Sequence, residues 1–214
     1  MPMAVKNSMK KPIKYLLITL LAGVALYNSV YFEPLNERNT AQKKGVFDPD
    51  AFAKKFMETK LIELPGMEAG QFIKALQHDL MQFTAEKGRK MGISHDYYFI
   101  VEGSGKVLDI GPENVLIKIE GGAEPELRIA TDFIFGNAIR EGSGMANIGD
   151  YQNTMDFNSI SVAVNNRVRT DIVPPFLKKV EDGDNIYFKG AVEVNTKNPD
   201  LQNLRIIPLI LDIK

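Results

Sequence analysis

The side chains best suited to chemistry gather between Arg140 and Asp156. The stretch Ile148-Gly149-Asp150-Tyr151-Gln152-Asn153-Thr154-Met155-Asp156-Phe157 is dense in hydrogen-bonding groups, and Arg140-Glu141 precedes it. A guanidinium beside a carboxylate and an amide can hold a sugar or a peptide main chain, because its forked donors match paired acceptors. Arg140, Asp150, Asn153 and Asp156 are therefore the candidate ligand-binding residues. Asp150 with Glu141 or Asp156 would instead suit hydrolysis of a saccharide or peptide, if the two carboxyl groups face each other across roughly 5–10 Å. A third reading needs no ligand. Buried polar groups must find partners, so the same residues would form a network that pins a long connection to the rest of the fold.

Other chemistries are poorly served. His78 and His95 have no second histidine at helical spacing, so no metal site is expected. Ser104 and Ser143 sit in Gly-Ser-Gly triplets, which read as turns and not as nucleophile elbows. Glu181-Asp182-Gly183-Asp184-Asn185 lacks the ligand spacing and closing glutamate of a calcium loop and reads as a charged hairpin. The glycines form neither a P-loop nor a dinucleotide fingerprint. No catalytic residue and no cofactor is assigned.

The elements that must position these residues follow from periodicity. Phe47 to Leu64 reads as a helix, with Asp48 as N-cap, Pro49 in the first turn and Pro65-Gly66 as its stop. A second helix is expected from Glu68 to Lys90, with Phe72, Ile73, Leu76, Leu80, Met81 and Phe83 on its apolar face. From Asp96 the period falls to two. Strands are expected at Tyr97–Val101, Lys106–Ile110, Val115–Ile119, Leu127–Phe135 (extending toward Arg140), Asn185–Val194 and Leu204–Ile213, with a turn at Gly103-Ser104-Gly105. A helix from Phe157 to Val173 divides early strands from late ones, and Asn165, Asn166, Arg167 and Arg169 form its solvated or rim-facing side. Gly190 and Pro208 mark bulge or edge positions. Strands, then a helix, then strands is the order of an OB-like barrel, in which the helix plugs one end. The expected fold is α+β, mainly β: an OB-like small antiparallel barrel preceded by two helices.

Residues 13–32 (IKYLLITLLAGVALYNSVYF) are apolar and follow Lys6, Lys10, Lys11 and Lys14. They are expected to cross the inner membrane once, N-terminus in the cytoplasm. The alternative is a secretory signal, cleaved near Gly23-Val24-Ala25. Either way the body is exported. The chain then divides into an anchor (1–32), a polar spacer (33–46) and a periplasmic domain (47–214), itself helical over 47–92 and β over 96–214. Removing those four lysines from the 26 basic residues leaves 22 against 27 acidic ones. An acidic body argues against nucleic acid as a partner. The 214 residues contain no cysteine, which removes disulfides, thiol catalysis and Cys-ligated metals.

Several segments together resemble a known family. They are Gly136-Asn137-Ala138-Ile139-Arg140-Glu141, Gly149-Asp150-Tyr151-Gln152-Asn153 with Phe157, Val164-Asn165-Asn166-Arg167-Val168, and Ile186-Tyr187-Phe188-Lys189-Gly190-Ala191. In order and spacing they are similar to the bacterial predicted periplasmic lipoproteins grouped as domain of unknown function 2291. The resemblance covers roughly Phe47 to Lys214. It implies an envelope protein without an established reaction, accessory to a sugar-type ABC transporter. Two positions depart from the pattern. Thr154 stands where a second amide is expected. Val24, after Leu21-Ala22-Gly23, stands where the lipid-bearing cysteine would fall.

Overall fold

A computed structural model describes residues 11–29, 47–61, 63–121 and 125–214, the side chains of Asn28 and Ser29 excepted. The chain forms two compact units, 1–46 and 47–214. Of the first, the described part is one helix, α1 (Lys11–Ser29). Among the described residues no helix is long and apolar enough to cross a membrane. The expected span, 13–32, runs on into 30–32, which lie outside the described residues. Lys11 and Lys14 on one side and Asn28-Ser29 on the other leave Tyr15 to Tyr27, thirteen residues. At 1.5 Å per residue these reach about 20 Å, against about 30 Å of hydrocarbon. Residues 30–46, which include the expected spacer, lie outside the described residues.

The second unit begins with α2 (Pro49–Lys55). The Asp48 side chain accepts hydrogen bonds from the main-chain N–H groups of Asp50 and Ala51, as its cap position requires. The helix widens into a π turn over Phe56–Lys60. A two-residue strand β1 (Met67–Glu68) leads into α3 (Ala69–His78) and α4 (Leu80–Lys87). The single helix expected over 68–90 is thus two. Asp79 is extended, ends α3 and caps α4 through Gln82 N–H. β2 (Arg89–Lys90) follows.

β3 (Asp96–Ile110) is one continuous strand of 15 residues. The turn expected at Gly103-Ser104-Gly105 does not form. These glycines serve close approach instead: a Cβ on Gly105 would lie 2.8 Å from the Lys118 carbonyl oxygen. β4 (Asn114–Ile119) and β5 (Leu127–Ala130) come next. β5 stops at Ala130 because the Thr131 and Asp132 N–H groups both turn to the Glu113 carbonyl. Residues expected to prolong it form a short helix, α5 (Ala138–Ser143). The long connection enters α6 (Thr154–Arg167), which passes through a π turn (Val168–Ile172) into α7 (Val173–Leu177). β6 (Asn185–Asn195) and β7 (Arg205–Ile213) complete the unit.

The pairing order is β3-β4-β5-β7-β6, and β6 pairs back onto β3, so the five strands close a ring. Only β5 and β7 run parallel within it. The pairing of β6 with β7 shifts register at Lys189/Gly190, leaving Leu209 unmatched between Pro208 and Ile210. Gly190 and Pro208 therefore occupy the bulge that their residue types indicated.

The two faces of β3 feed separate cores. Phe99, Val101 and Val107 join Val115, Ile117, Leu127, Ile129, Phe188 and Ile206 inside the ring. Tyr98 and Ile100 face outward and pack with Ile139, Phe157, Ile160, Val164 and Ile207. The expected plug is accordingly different. Most of α6 covers the outside of the ring, while Phe72, Ile73 and Leu76 of α3 and Phe176 of α7 complete the inner core. Helical residues outnumber strand residues, so the fold is a mixed α+β one and not mainly β.

Candidate functional site

Arg140 lies on α5 and is 1% exposed. Its five N–H donors all have partners. Nε and Nη2 reach Glu141 Oε1, both at 2.8 Å. Nη1 donates to the Phe157 carbonyl at 3.0 Å and to Asn158 Oδ1 at 3.2 Å, and Nη2 also meets Met91 Sδ at 3.7 Å. The guanidinium carbon sits 3.8 Å from the centre of the Phe157 ring. Tyr151 packs against Phe157, and Phe47 against Tyr151, so the network ties α5 to the connection and to the start of the unit. Such a side chain holds elements together and has no donor left for a ligand.

The other three candidates lie apart from that pocket. Asn153 caps α6: its Oδ1 accepts from Asp156 N–H at 2.8 Å, and its Nδ2 donates to Asp156 Oδ2 at 2.9 Å. The first bond is an N-cap and the second a side-chain contact that holds the cap in place. Asp150 is exposed in a 3-10 turn. It acts on Tyr151, whose pKa is raised first by burial and then by the Asp150 charge. Glu141 is committed to Arg140 and Asp156 to Asn153, so both carboxylates proposed as partners of Asp150 in hydrolysis are already engaged.

A different group converges beside them. The loop from Asp132 to Gly136 is held by two arginines, one from β7 and one from the π turn after α6. Arg205 of β7 donates to the carbonyls of Asp132 and, at 3.2 Å, of Phe133. Arg169 donates to the carbonyl of Ile134. Burial lowers the pKa of Arg205, with Glu113 and Asp132 opposing that shift. Within the clamp Phe133 has φ 49°, the one non-glycine residue with positive φ among those described. An aromatic residue in the left-handed region is strained. Yet Phe133 and Phe135 are 53% and 66% exposed.

Between this loop and α6 runs a cleft of about 420 Å³, lined by Phe135, Asn137, Asn158, Val162, Asn165 and Arg169 among others. Ser161 Oγ donates to Asn137 Oδ1 at 3.0 Å, and Asn165 Nδ2 to the Gly136 carbonyl at 2.9 Å. Asn165 is 4% exposed and not on the solvated side expected for it. Its position was readable: it follows Val164 and lies four residues after Ser161, inside the buried stripe of the helix. Among the described residues no protein acceptor takes the Nδ2 of Asn137 or of Asn158. The cleft thus offers amide donors, a guanidinium and an exposed ring. Phe133 and Phe135 had no signal in the sequence, because they stand where a strand pattern hides them.

A second polar cluster lies on the β3–β6 face. Lys189, 5% exposed, meets Glu102 Oε2 at 3.0 Å and donates to the Leu64 carbonyl at 2.6 Å. Tyr187 donates to the same carboxylate at 2.8 Å. Burial opposes ionisation of Glu102, but the Lys189 and Tyr187 hydrogen bonds, the Lys189 charge and Gly66 N–H together hold its pKa below the usual range. Burial and Glu102 push Tyr187 up to about 12. This cluster fastens the segment before β1 to the ring.

Gly136-Asn137 and Ser161-Asn165 thus meet across one cleft, beside Arg140 and Phe157. The sequence pattern that these segments belong to extends from residue 20 to residue 212, described as predicted periplasmic lipoprotein (DUF2291). The chain belongs to this family. Its fold is similar to that of an OB-fold protein from Thermotoga maritima, with 25% sequence identity, a TM-score of 0.71, and coverage of 78% of this chain and 99% of that chain. No curated protein matches the chain. This DUF2291 member departs from the family's description at one point, for it has no cysteine to carry a lipid.

Proposed function

We propose that this protein is a non-enzymatic binding module of the bacterial cell envelope, and that the cleft beside the Asp132–Gly136 loop is its ligand seat. One observation carries the reading. Two arginines fix three successive carbonyls of that loop, and the fixed loop holds one phenylalanine at positive φ and a second two-thirds exposed. Backbone strain and exposed aromatic area both cost stability, and such costs gather at recognition sites. The ring of Phe135 offers an apolar wall and Asn137, Asn158 and Arg169 offer directed polar contacts. That combination suits a saccharide or a peptide main chain. An accessory role beside a sugar-type transporter fits the first of these. Nothing in the geometry favours the hydrolase alternative.

For export, the thirteen-residue apolar run of α1 behind basic residues has the length of a signal core. Retention as a single-pass inner-membrane anchor is the first reading and cleavage of that segment its alternative, and the mass of the mature envelope protein separates the two.

The binding reading is tested by titrating mono- and oligosaccharides and short peptides into the full chain, with Phe135→Ala and Asn158→Ala alongside. Both side chains are exposed; Asn158 Oδ1 also accepts from Arg140, so circular dichroism must show each variant folded before its binding is compared. Binding at least tenfold weaker in both variants is expected. A ligand held equally by wild type and both variants places the seat elsewhere.

A further inference from the structure

A second site lies at the end of the ring where β3, β4, β6 and β7 run side by side. Lys106 of β3 stands directly opposite Lys118 of β4. On its other side Lys106 pairs with Asn185 of β6, whose carbonyl accepts from Lys214 N–H just beyond β7. Lys118, Lys106, Asn185 and Lys214 therefore form one row across four strands. At 4.7–4.9 Å per strand the row is about 14 Å long.

Like charges directly opposite each other on a sheet are destabilising, and among the described residues neither lysine of this pair is in an ion pair. No carboxylate lies within ion-pairing distance of Lys106, Lys118 or Lys214 among the described residues. Glu120 borders the cleft one row away, opposite Ser104. The contrast with Lys189 is direct, because there the same sheet supplies Glu102 at 3.0 Å. Protection of a sheet edge does not explain Lys106 either. β3 is paired on both sides there, whereas the pairing of β4 with β5 ends at Ile117 opposite Leu127, one residue before Lys118.

The row borders a cleft of about 580 Å³. Gly121 at its rim has φ 90° and open space where a side chain would stand. Lys214 Nζ is turned in toward the row by a 2.7 Å contact with Ser104 Oγ. In a body where acidic residues predominate, this is a local concentration of positive charge with room for a ligand above it. We propose that the Lys106–Lys118–Lys214 row binds a phosphoryl-bearing anion of two or more negative charges. This site is distinct from the phenylalanine cleft and does not depend on it.

The anion could be a soluble phosphoester or the headgroup of an anionic lipid, and the experiment separates them. Inorganic pyrophosphate is titrated calorimetrically into the full chain at 20 and 200 mM salt. Co-sedimentation follows with vesicles of phosphatidylglycerol and phosphatidylcholine, and of phosphatidylcholine alone. The variants are Lys106→Ala, Lys118→Ala, Lys118→Arg and, as a control on α3, the exposed Lys74→Ala. Pyrophosphate binding that weakens with salt, falls about tenfold in each alanine variant of the row and is kept by Lys118→Arg and Lys74→Ala supports the site. If charged vesicles show the same dependence on Lys106 and Lys118, the source is a lipid headgroup. Pyrophosphate binding without it assigns a soluble ligand. Absence of both interactions overturns the proposal. So does binding that Lys74→Ala weakens as much as Lys118→Ala, or vesicle capture indifferent to the lysines when pyrophosphate does not bind.

Discussion

Replacing Arg140 by alanine tests whether the most conspicuous candidate in the sequence is structural or a ligand contact. The change strips all five donors from a side chain that is 1% exposed, strands Glu141 at the edge of the core and removes the cation from the face of Phe157. Breaking a buried ion pair by deleting one partner costs about 3–5 kcal/mol. In a unit spanning 47–214, each kcal/mol moves Tm by roughly 2–4 °C. A fall of about 6–20 °C is therefore expected for Arg140→Ala at pH 7, followed by far-UV circular dichroism. Asp150→Ala, at an exposed position, should stay within about 0.5 kcal/mol of wild type. Adding Glu141→Gln to Arg140→Ala should return part of the loss, since it removes the stranded charge. The reasoning fails if Arg140→Ala shifts Tm by less than about 2 °C, within reach of an exposed substitution. It also fails if Asp150→Ala costs as much, which would place the structural network at the other end of the connection.

Three further outcomes follow from the same geometry. Asn153→Ala should cost about 1 kcal/mol, because it removes the cap of α6, and amide exchange at Asp156 should accelerate in step; unchanged exchange would contradict the cap. Glu102 has a folded-state pKa below its usual value, so its contribution is present above the ordinary carboxylate pKa and is lost as pH falls through the folded value. Glu102→Gln should then be less stable than wild type at pH 7 by about 1–3 kcal/mol, and the gap should close toward pH 3 in urea unfolding; a gap of equal size at both pH values would falsify the assignment. Gly190→Ala places a Cβ 2.4 Å from Ile206 Cγ2 and 2.5 Å from the Ile207 carbonyl oxygen. Overpacking of that kind costs about 1–3 kcal/mol, so a Tm equal to wild type would mean that the bulge is not held as described.

The parts of the fold that the sequence discloses are those with a local cause. Asp48-Pro49 announces a helix start because the cap and the first turn are made of adjacent residues. Gly190 and Pro208 announce a bulge because neither suits a regular ladder. What escapes depends on distant partners. Gly103-Ser104-Gly105 has turn composition, yet it continues a strand, since β4 and β6 hold it from both sides and need the space that side chains would take. Leu127 to Phe135 has strand composition throughout, yet only four residues pair, because Glu113 and two arginines from elsewhere claim the backbone beyond Ala130. The site follows the same rule. Arg140 and Asn153 were recognisable as residues able to bind, but burial and capping decided what they bind, and both depend on the fold. Phe133 and Phe135 carry no polar group and so gave no chemical signal at all.

The missing cysteine bears on where the function resides. In a lipoprotein the membrane attachment and the body are separable devices, joined by a thioether that only a thiol can form. Here none of the 214 residues is a cysteine, so there is no thiol to acylate. Attachment by that route is chemically closed to this chain, so whatever localises it must act through peptide: through α1, through a partner, or through the surface of the body itself. Among the features that cost the body stability without serving its core are the strained Phe133, the exposed Phe135 and the opposed Lys106 and Lys118. These four residues lie in 106–135, far in sequence from α1. Function in this member should therefore survive exchange of the N-terminal segment and fail when those body residues are changed.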